Sequence, residues 1–124
     1  MVNKLETIQK NGKLYSDIPK CEWKTATLSN YITGNVRYTQ IKNIVIVLFD
    51  DVIVKQNTSS NGTVLVSGLP VSSQYLRTEL TPHLSGGTPF RIAITTNGEI
   101  INHYCVKNAD LSVNFYGYLI YLTN

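Results

Sequence analysis

The chain has 124 residues, which fits one domain large enough to bury a hydrophobic core without disulfides or metals. Apolar residues make up 43% of the sequence and charged residues 15%, which excludes a highly charged disordered chain. The net charge of +3 comes from scattered Lys and Arg residues, so the concentrated basic stripe of a nucleic-acid-binding protein is not expected. Such a low charged fraction also suggests that other subunits cover part of the surface.

Targeting and membrane signals are not evident in the sequence. Met1–Glu6 lacks a basic start followed by an apolar segment, so we expect no secretory signal. The longest apolar candidate, Ile44–Val54, is interrupted by Asp50 and Asp51 and is shorter than the ~18 residues of a membrane span. The sequence therefore predicts a protein made in the cytoplasm without a signal peptide and without membrane insertion.

The cysteines and histidines do not predict a metal centre. Cys21 and Cys105 can pair across the fold, but two cysteines without a secretory context do not imply a disulfide. Together with the two histidines they show no zinc-ligand spacing. We expect neither a metal ion nor another cofactor.

Residues 1–20 differ in pattern from the rest of the chain. Apolar residues three apart, from Val2 to Ile8, suit one or two helical turns, and Tyr15–Lys20 suits an extended connector. So short a helix is marginally stable alone and must pack on the body or on copies of itself. We expect an N-terminal arm over residues 1–20 and an all-β domain over residues 21–124.

From Cys21 onward the chain predicts short strands separated by turns. The candidate strands are rich in β-branched and aromatic residues; they are Trp23–Leu28, Asn35–Ile41, Ile44–Phe49, Val52–Lys55, Thr63–Ser67 and Leu111–Thr123. Ser72–Leu80 can be strand or loop, and Asp50-Asp51 is expected in a loop at a strand end. This pattern indicates an all-β fold, a sandwich or a barrel.

Two of the predicted strands, Ile44–Phe49 and Tyr118–Leu122, are apolar on both faces. A two-sheet sandwich buries only one face of each sheet. The second apolar face of these strands therefore predicts a subunit interface.

A β-hairpin is predicted around Asn97-Gly98, which lies between two strand-like runs. This dipeptide favours a two-residue type I′ turn with positive φ at both residues, and that turn would place Ile94 opposite Ile101. Side chains alternate along a strand, so one face is expected to be core: Phe90, Ile92, Ile94, Ile101, His103 and Cys105. The other face is mixed: Arg91, Ala93, Thr95, Ile100, Asn102 and Tyr104.

The candidate ligand-binding residues are aromatic and polar. Sugar-binding surfaces use aromatic faces for C–H contacts and Asn, Asp, Glu and Arg side chains for hydroxyl groups. Residues of this kind lie on the mixed hairpin face and before the hairpin: Arg91, Asn102, Tyr104, Tyr75, Arg77, Glu79 and His83. Tyrosines in strands also commonly pack at sheet surfaces and interfaces, and this alternative remains open.

Catalytic signatures are weak. The sequence contains no G-x-S-x-G elbow and no phosphate-binding loop. A glycosidase needs only two carboxylates that the fold brings together, so the sequence leaves that alternative open. We expect a protein that is not an enzyme.

The order of the motifs is more specific than any one of them. It runs through Trp23–Leu28, Val36–Ile46, Leu65–Pro70, Arg91–Ile100 and Gly117–Thr123. This series resembles the C-terminal head domains of tailed-phage fibre and baseplate proteins, and it spans residues 21–124. Lys42-Asn43 stands where those domains usually have Gly-Asn, and Ser72–Arg77 replaces their Gly-Tyr-Arg-Pro segment.

The resemblance implies an antiparallel jelly-roll sandwich that assembles as a homotrimer and binds host cell-surface polysaccharide without turning it over. Its other partners would be tail or baseplate proteins, and its location the phage virion. The resemblance does not assign individual ligand residues. Two alternatives remain: a structural virion component without a ligand, and a glycan-processing enzyme.

Overall fold

The computed structural model describes residues 21–54, 62–83, 89–104 and 114–124, without the side chain of Tyr104. Within these ranges the chain forms nine β-strands: β1, Lys24–Thr25; β2, Thr27–Leu28; β3, Ile32–Ile41; β4, Ile44–Val54; β5, Val64–Ser67; β6, Leu76–Pro82; β7, Phe90–Ile94; β8, Ile100–Tyr104; and β9, Phe115–Leu122. The same ranges hold no helix long and apolar enough to cross a membrane. The predicted N-terminal arm and Cys105 lie outside the described residues.

The strands form one antiparallel sheet that closes almost completely on itself. Its order is β1-β3-β4-β9-β6-β7-β8-β5-β2. Residues 76–80 of β6 pair with β7, and Thr81 and Pro82 pair with β9, so β6 joins two halves. β1 and β2 lie at the two edges of the sheet, where β1 pairs with β3 and β2 pairs with β5. Between them in the chain lies buried Ala26, whose amide donates to the Val36 carbonyl (2.9 Å). The all-β antiparallel prediction is confirmed.

The core lies between the two halves and follows strand alternation. From β3, β4 and β9 it receives Val36, Val45, Val47, Phe49, Leu119 and Tyr121, all nearly inaccessible. From the other half come Leu65, Leu80, Phe90, Ile92, Ile94 and Ile100. Each buried side chain of this size contributes about 1.5–3 kcal/mol through the hydrophobic effect, which fixes the two halves against each other.

The expectation that Asp50-Asp51 lies in a loop at a strand end is wrong. Both residues lie inside β4, which continues to Val54. The pairing shifts register between Phe49 and Val52, and Asp51 has a positive φ of 58°. A β-bulge of this kind accommodates a polar pair without ending the strand.

The predicted two-residue type I′ turn is also wrong. The Thr95 amide donates to the Glu99 carbonyl at 2.8 Å, so three residues, Thr96 to Gly98, form the loop. Gly98 has a positive φ of 77°, whereas Asn97 does not have a positive φ. Three-residue hairpin loops commonly place glycine in this left-handed position.

The longer loop moves the hairpin register by one residue. Ile94 pairs with Ile100 rather than with Ile101, and this one-residue shift turns the side chains of β8 from Ile100 to His103 to the opposite face. A register shift between Arg91 and Ile92 then restores the predicted pairing of Arg91 with Tyr104. Ile100 and Asn102 are therefore buried, whereas Ile101 and His103 lie on the outer face. The predicted core face is correct on β7 and wrong on β8.

Candidate functional site

The outer face of β6, β7 and β8 carries a cluster of polar side chains, which we call the polar face: Tyr75, Arg77, Glu79, Arg91 and His103. Alternation along β6 directs Leu80 into the core and places Arg77 and Glu79 outside. Glu79 pairs with Arg91 across the β6–β7 ladder. Three neighbouring strands thus bring together residues that are far apart in sequence.

A shallow cleft of about 270 Å³ opens on the polar face. The described residues that line it are Arg77, Thr78, Glu79, Arg91 and His103. Ala93, which lies between Arg77 and Ile101 in the ladder, is fully buried beneath the longer side chains. Drug-sized pockets run from ~300 to ~1,000 Å³, so this cleft suits a smaller group such as one ring.

Tyr75 is held between two partners on the polar face. Its hydroxyl lies 3.2 Å from Nδ1 of His103, and the two rings meet edge to face at 6.1 Å. The guanidinium of Arg77 lies 5.2 Å from the centre of the Tyr75 ring, a cation–π arrangement. Tyr75 nevertheless remains 41% exposed, so a ligand can reach it.

Arg91 and Glu79 form an ion pair beside this cluster. Nε of Arg91 donates to Oε1 of Glu79 at 3.1 Å, and about half of each side chain is exposed. An exposed pair contributes only ~0–1 kcal/mol to stability, so its main effect is to orient both groups. The polar face therefore presents guanidinium donors, a carboxylate acceptor and an aromatic ring.

Four of the seven predicted ligand-binding residues meet on the polar face: Tyr75, Arg77, Glu79 and Arg91. Asn102 does not, because the register shift buries it opposite Ile92. The backbone of Tyr104 pairs with Arg91 as predicted, and its side chain lies outside the described part of the chain. Two described lining residues were not predicted: Thr78, and His103, which takes an outer position once the loop is three residues long.

His83 lies apart from the polar face. It follows the end of β6 that pairs with β9, and its amide donates to the Asn114 carbonyl at 2.8 Å. Its ring lies 5.8 Å from the ring of Tyr116. The change of strand partner within β6 separates His83 from Arg77 and Glu79.

A second cleft, of about 210 Å³, lies where Lys24, Tyr38 and Pro70 come together with Glu22 and Gln40. The buried hydroxyl of Tyr121 donates to the Pro70 carbonyl at 2.7 Å. Burial, with a smaller contribution from Tyr38, raises the pKa of Tyr121 to about 12. This hydrogen bond ties the loop after β5 to β9.

The outer side of β4 and β9 forms an exposed apolar surface. We call it the apolar face: Ile44, Ile46, Leu48, Tyr118, Ile120 and Leu122. Ile44 pairs with Leu122, Ile46 with Ile120, and Leu48 with Tyr118, so the side chains form regular rows. The outer residues of β9 are 50–62% exposed. Apolar patches of several hundred Å² on a soluble domain often mark interaction surfaces.

Metal chemistry has no visible basis in the described residues. Among them, no group of three or more His, Cys, Asp or Glu side chains is placed to hold a metal ion.

No protein-family model matches the sequence, and no curated protein sequence matches it. Solved structures do share its architecture. The receptor-binding protein gp15 of Listeria phage PSA is similar with a TM-score of 0.65 and 17% identity, over 98% of this chain and 77% of that one. The chain has the fold of a phage receptor-binding head domain.

The head domain of lactococcal phage bIL170 shows the same similarity, with a TM-score of 0.59 and 12% identity over 85% of this chain and 100% of that chain. Both identities are low, so the likeness concerns the fold. The resemblance predicted from the order of the sequence motifs is confirmed at that level.

Proposed function

We propose that this chain is the receptor-binding head domain of a phage or prophage tail protein. It adheres to host cell-surface saccharide as a homotrimer, is carried on the virion tail beside other tail or baseplate proteins, and does not turn the saccharide over. The observation that carries the proposal is the polar face, a cleft lined by guanidinium, carboxylate and aromatic groups on a fold shared with phage receptor-binding proteins.

The groups of the polar face match the surface of a sugar ring. The exposed ring of Tyr75 offers contact to sugar C–H groups, Arg77 and Arg91 donate to hydroxyl and ring oxygens, and Glu79 accepts from hydroxyls. These residues are fixed by neighbouring strands and by the Tyr75–His103 and Arg91–Glu79 contacts, which keeps the site preorganised. One such site binds weakly, and three sites on a trimer raise the overall avidity.

The apolar face supports the trimer. Covering exposed apolar surface stabilises association by about 25 cal/mol per Å². The exposed rows of Ile44, Tyr118, Ile120 and Leu122 provide such surface on each copy, and their burial would oppose the freedom lost on association. Light scattering at low micromolar concentration tests this part of the proposal: a clean monomer would contradict it.

The cleft gives less support to a glycan-processing enzyme. Among the described residues that line it, Glu79 is the one carboxylate, and it is paired with Arg91. Glycosidases use two carboxyl groups about 5–9.5 Å apart across the scissile bond. We therefore propose binding without hydrolysis.

The proposal is tested with a bacterial glycan array and with polysaccharide extracted from Listeria and lactococcal cell walls. Saturable binding without release of reducing sugar is expected. A structural component without a ligand would show no binding on either surface. An enzyme would release reducing sugar, and the release would be lost on Glu79→Gln.

A further inference from the structure

A second polar cluster lies at the bulge of β4, away from the polar face. We call it the bulge cluster: Asp51, His83, Asn114 and Tyr116. The hydroxyl of Tyr116 donates to Oδ1 of Asp51 at 3.2 Å, and Nδ2 of Asn114 donates to the same oxygen. The rings of His83 and Tyr116 meet at 5.8 Å with an interplanar angle of 54°. A carboxylate, an amide, a phenol and an imidazole therefore converge from β4, β9 and the end of β6.

The backbone around Asp51 is built to present this side chain. Asp51 adopts a positive φ of 58°, which residues other than glycine rarely do. Gly34 on β3 makes this possible, because a Cβ there would lie 2.5 Å from the Asp51 carbonyl oxygen. Bulges redirect side chains beside functional sites, and strained residues concentrate at such sites.

The cluster keeps its donors in place. Burial, followed by Asp51 and then Asp50, raises the pKa of Tyr116, so the phenol stays protonated and remains a donor to Asp51. Two fixed donors to one carboxylate oxygen orient the whole group. Asp51 itself is exposed, so its carboxylate can accept further hydrogen bonds from a ligand.

The charge of the bulge cluster is opposite to that of the polar face. Arg77 and Arg91 outnumber Glu79 on the polar face, whereas Asp51 has a second carboxylate, Asp50, beside it in the chain. A carboxylate accepts from hydroxyl groups, and an aromatic ring next to it offers contact to sugar C–H groups. The two surfaces therefore suit different parts of a polymer.

We infer that the bulge cluster is a second saccharide-contacting site, at which an uncharged sugar unit donates adjacent hydroxyl groups to the Asp51 carboxylate beside the Tyr116 and His83 rings. This inference rests on the proposed saccharide-binding function. It assigns to His83 a ligand contact away from the polar face, and it gives the strained β4 bulge a role in binding.

The test uses the full chain and a set of methyl glycosides (glucoside, galactoside, mannoside and rhamnoside), with glucosamine as the amine-bearing comparator. Amide chemical shifts by NMR report the location of binding. We expect saturable shifts around Asp51, His83 and Tyr116 with at least one neutral glycoside. Asp51→Asn is expected to weaken this binding about tenfold, since it removes a charge-assisted acceptor. Glu99→Gln, the matched carboxylate control beside the loop between β7 and β8, is expected to leave it unchanged.

His83→Ala is the second variant, because within the described part of the chain the His83 side chain forms no hydrogen bond that the substitution would remove. It keeps the Asp51 contacts and is expected to weaken glycoside binding several-fold. Absence of shifts at the bulge cluster with every neutral glycoside would overturn the inference, as would shifts with glucosamine alone.

Failure of this inference is distinguishable from failure of the proposed function. If the bulge cluster only stabilises the β4 bulge and binds no sugar, polysaccharide binding persists in Asp51→Asn and is lost in Arg77→Ala. That outcome overturns the second site and retains the polar face. Loss of glycoside shifts in Asp51→Asn, with shifts retained in Arg77→Ala, supports two separate sites.

Discussion

The loop at Thr96–Gly98 sets the register of β7 and β8 and so decides which side chains reach the polar face. We predict that Gly98→Ala destabilises the domain much more than Asn97→Ala. Gly98 has a φ of +77°, and a Cβ at this position would lie 2.2 Å from the carbonyl oxygen of Leu69. The neighbouring Asn97 is exposed and has no positive φ.

The expected loss of stability in Gly98→Ala has two contributions. The left-handed conformation costs a residue other than glycine about 1–2 kcal/mol. The clash must also displace the backbone of Leu69, whose amide donates to the Gly98 carbonyl at 3.1 Å, a bond contributing about 0.5–1.5 kcal/mol. Gly98→Ala should therefore lower the free energy of unfolding by about 2–3 kcal/mol, and Asn97→Ala by less than ~0.5 kcal/mol.

Urea unfolding monitored by circular dichroism measures both variants. The slope with denaturant should stay constant, so that the shift in midpoint reports stability alone. Equal destabilisation by the two substitutions would contradict the three-residue loop, because it would mean that both Asn97 and Gly98 need positive φ. The turn would then be type I′ and Ile94 would face Ile101.

Three other changes test separate parts of the molecule. The raised pKa of Tyr121 means that the phenol loses its proton at lower pH in the unfolded chain than in the folded one. The free energy of unfolding should therefore fall between pH 10 and about 12, by up to about 2–3 kcal/mol. Urea titrations of Tyr121→Phe should not show this fall. Ile120→Lys should convert the proposed trimer to a folded monomer in light scattering, whereas Val71→Lys, at a residue of similar exposure outside the apolar face, should not. Tyr75→Phe should keep most polysaccharide binding measured by biolayer interferometry, because the ring remains, and Tyr75→Ala should lose about tenfold; equal effects would contradict ring stacking.

Much of the fold follows from local pattern. The apolar runs around Val45 and Leu119 predict strands with two apolar faces, and the structure pairs these runs directly. Phe90, Ile92 and Ile94 are buried as their alternation predicts. Periodicity suffices for these residues because one neighbouring strand pairs with them regularly: β9 with β4 from Ile44 to Phe49, and β6 with β7 from Phe90 to Ile94.

The errors arise where a tertiary contact decides the local geometry. The register of β8 depends on a three-residue loop, which the contact between Gly98 and Leu69 stabilises. The Asp51 bulge depends on Gly34, a residue on another strand. The separation of His83 from the polar face depends on the point at which β6 changes partner. Each of these contacts involves residues outside the segment whose geometry it determines, so the local sequence pattern does not predict it.

In the proposed function, the polar face binds host saccharide. Binding of wild-type and Arg77→Ala protein to immobilised bacterial cell-wall polysaccharide measures this directly, with Lys24→Ala as the charge-matched control at a different cleft. We expect saturable binding that Arg77→Ala weakens at least about tenfold and Lys24→Ala leaves unchanged. Equal binding by all three proteins, or no binding by the wild-type protein, would contradict it.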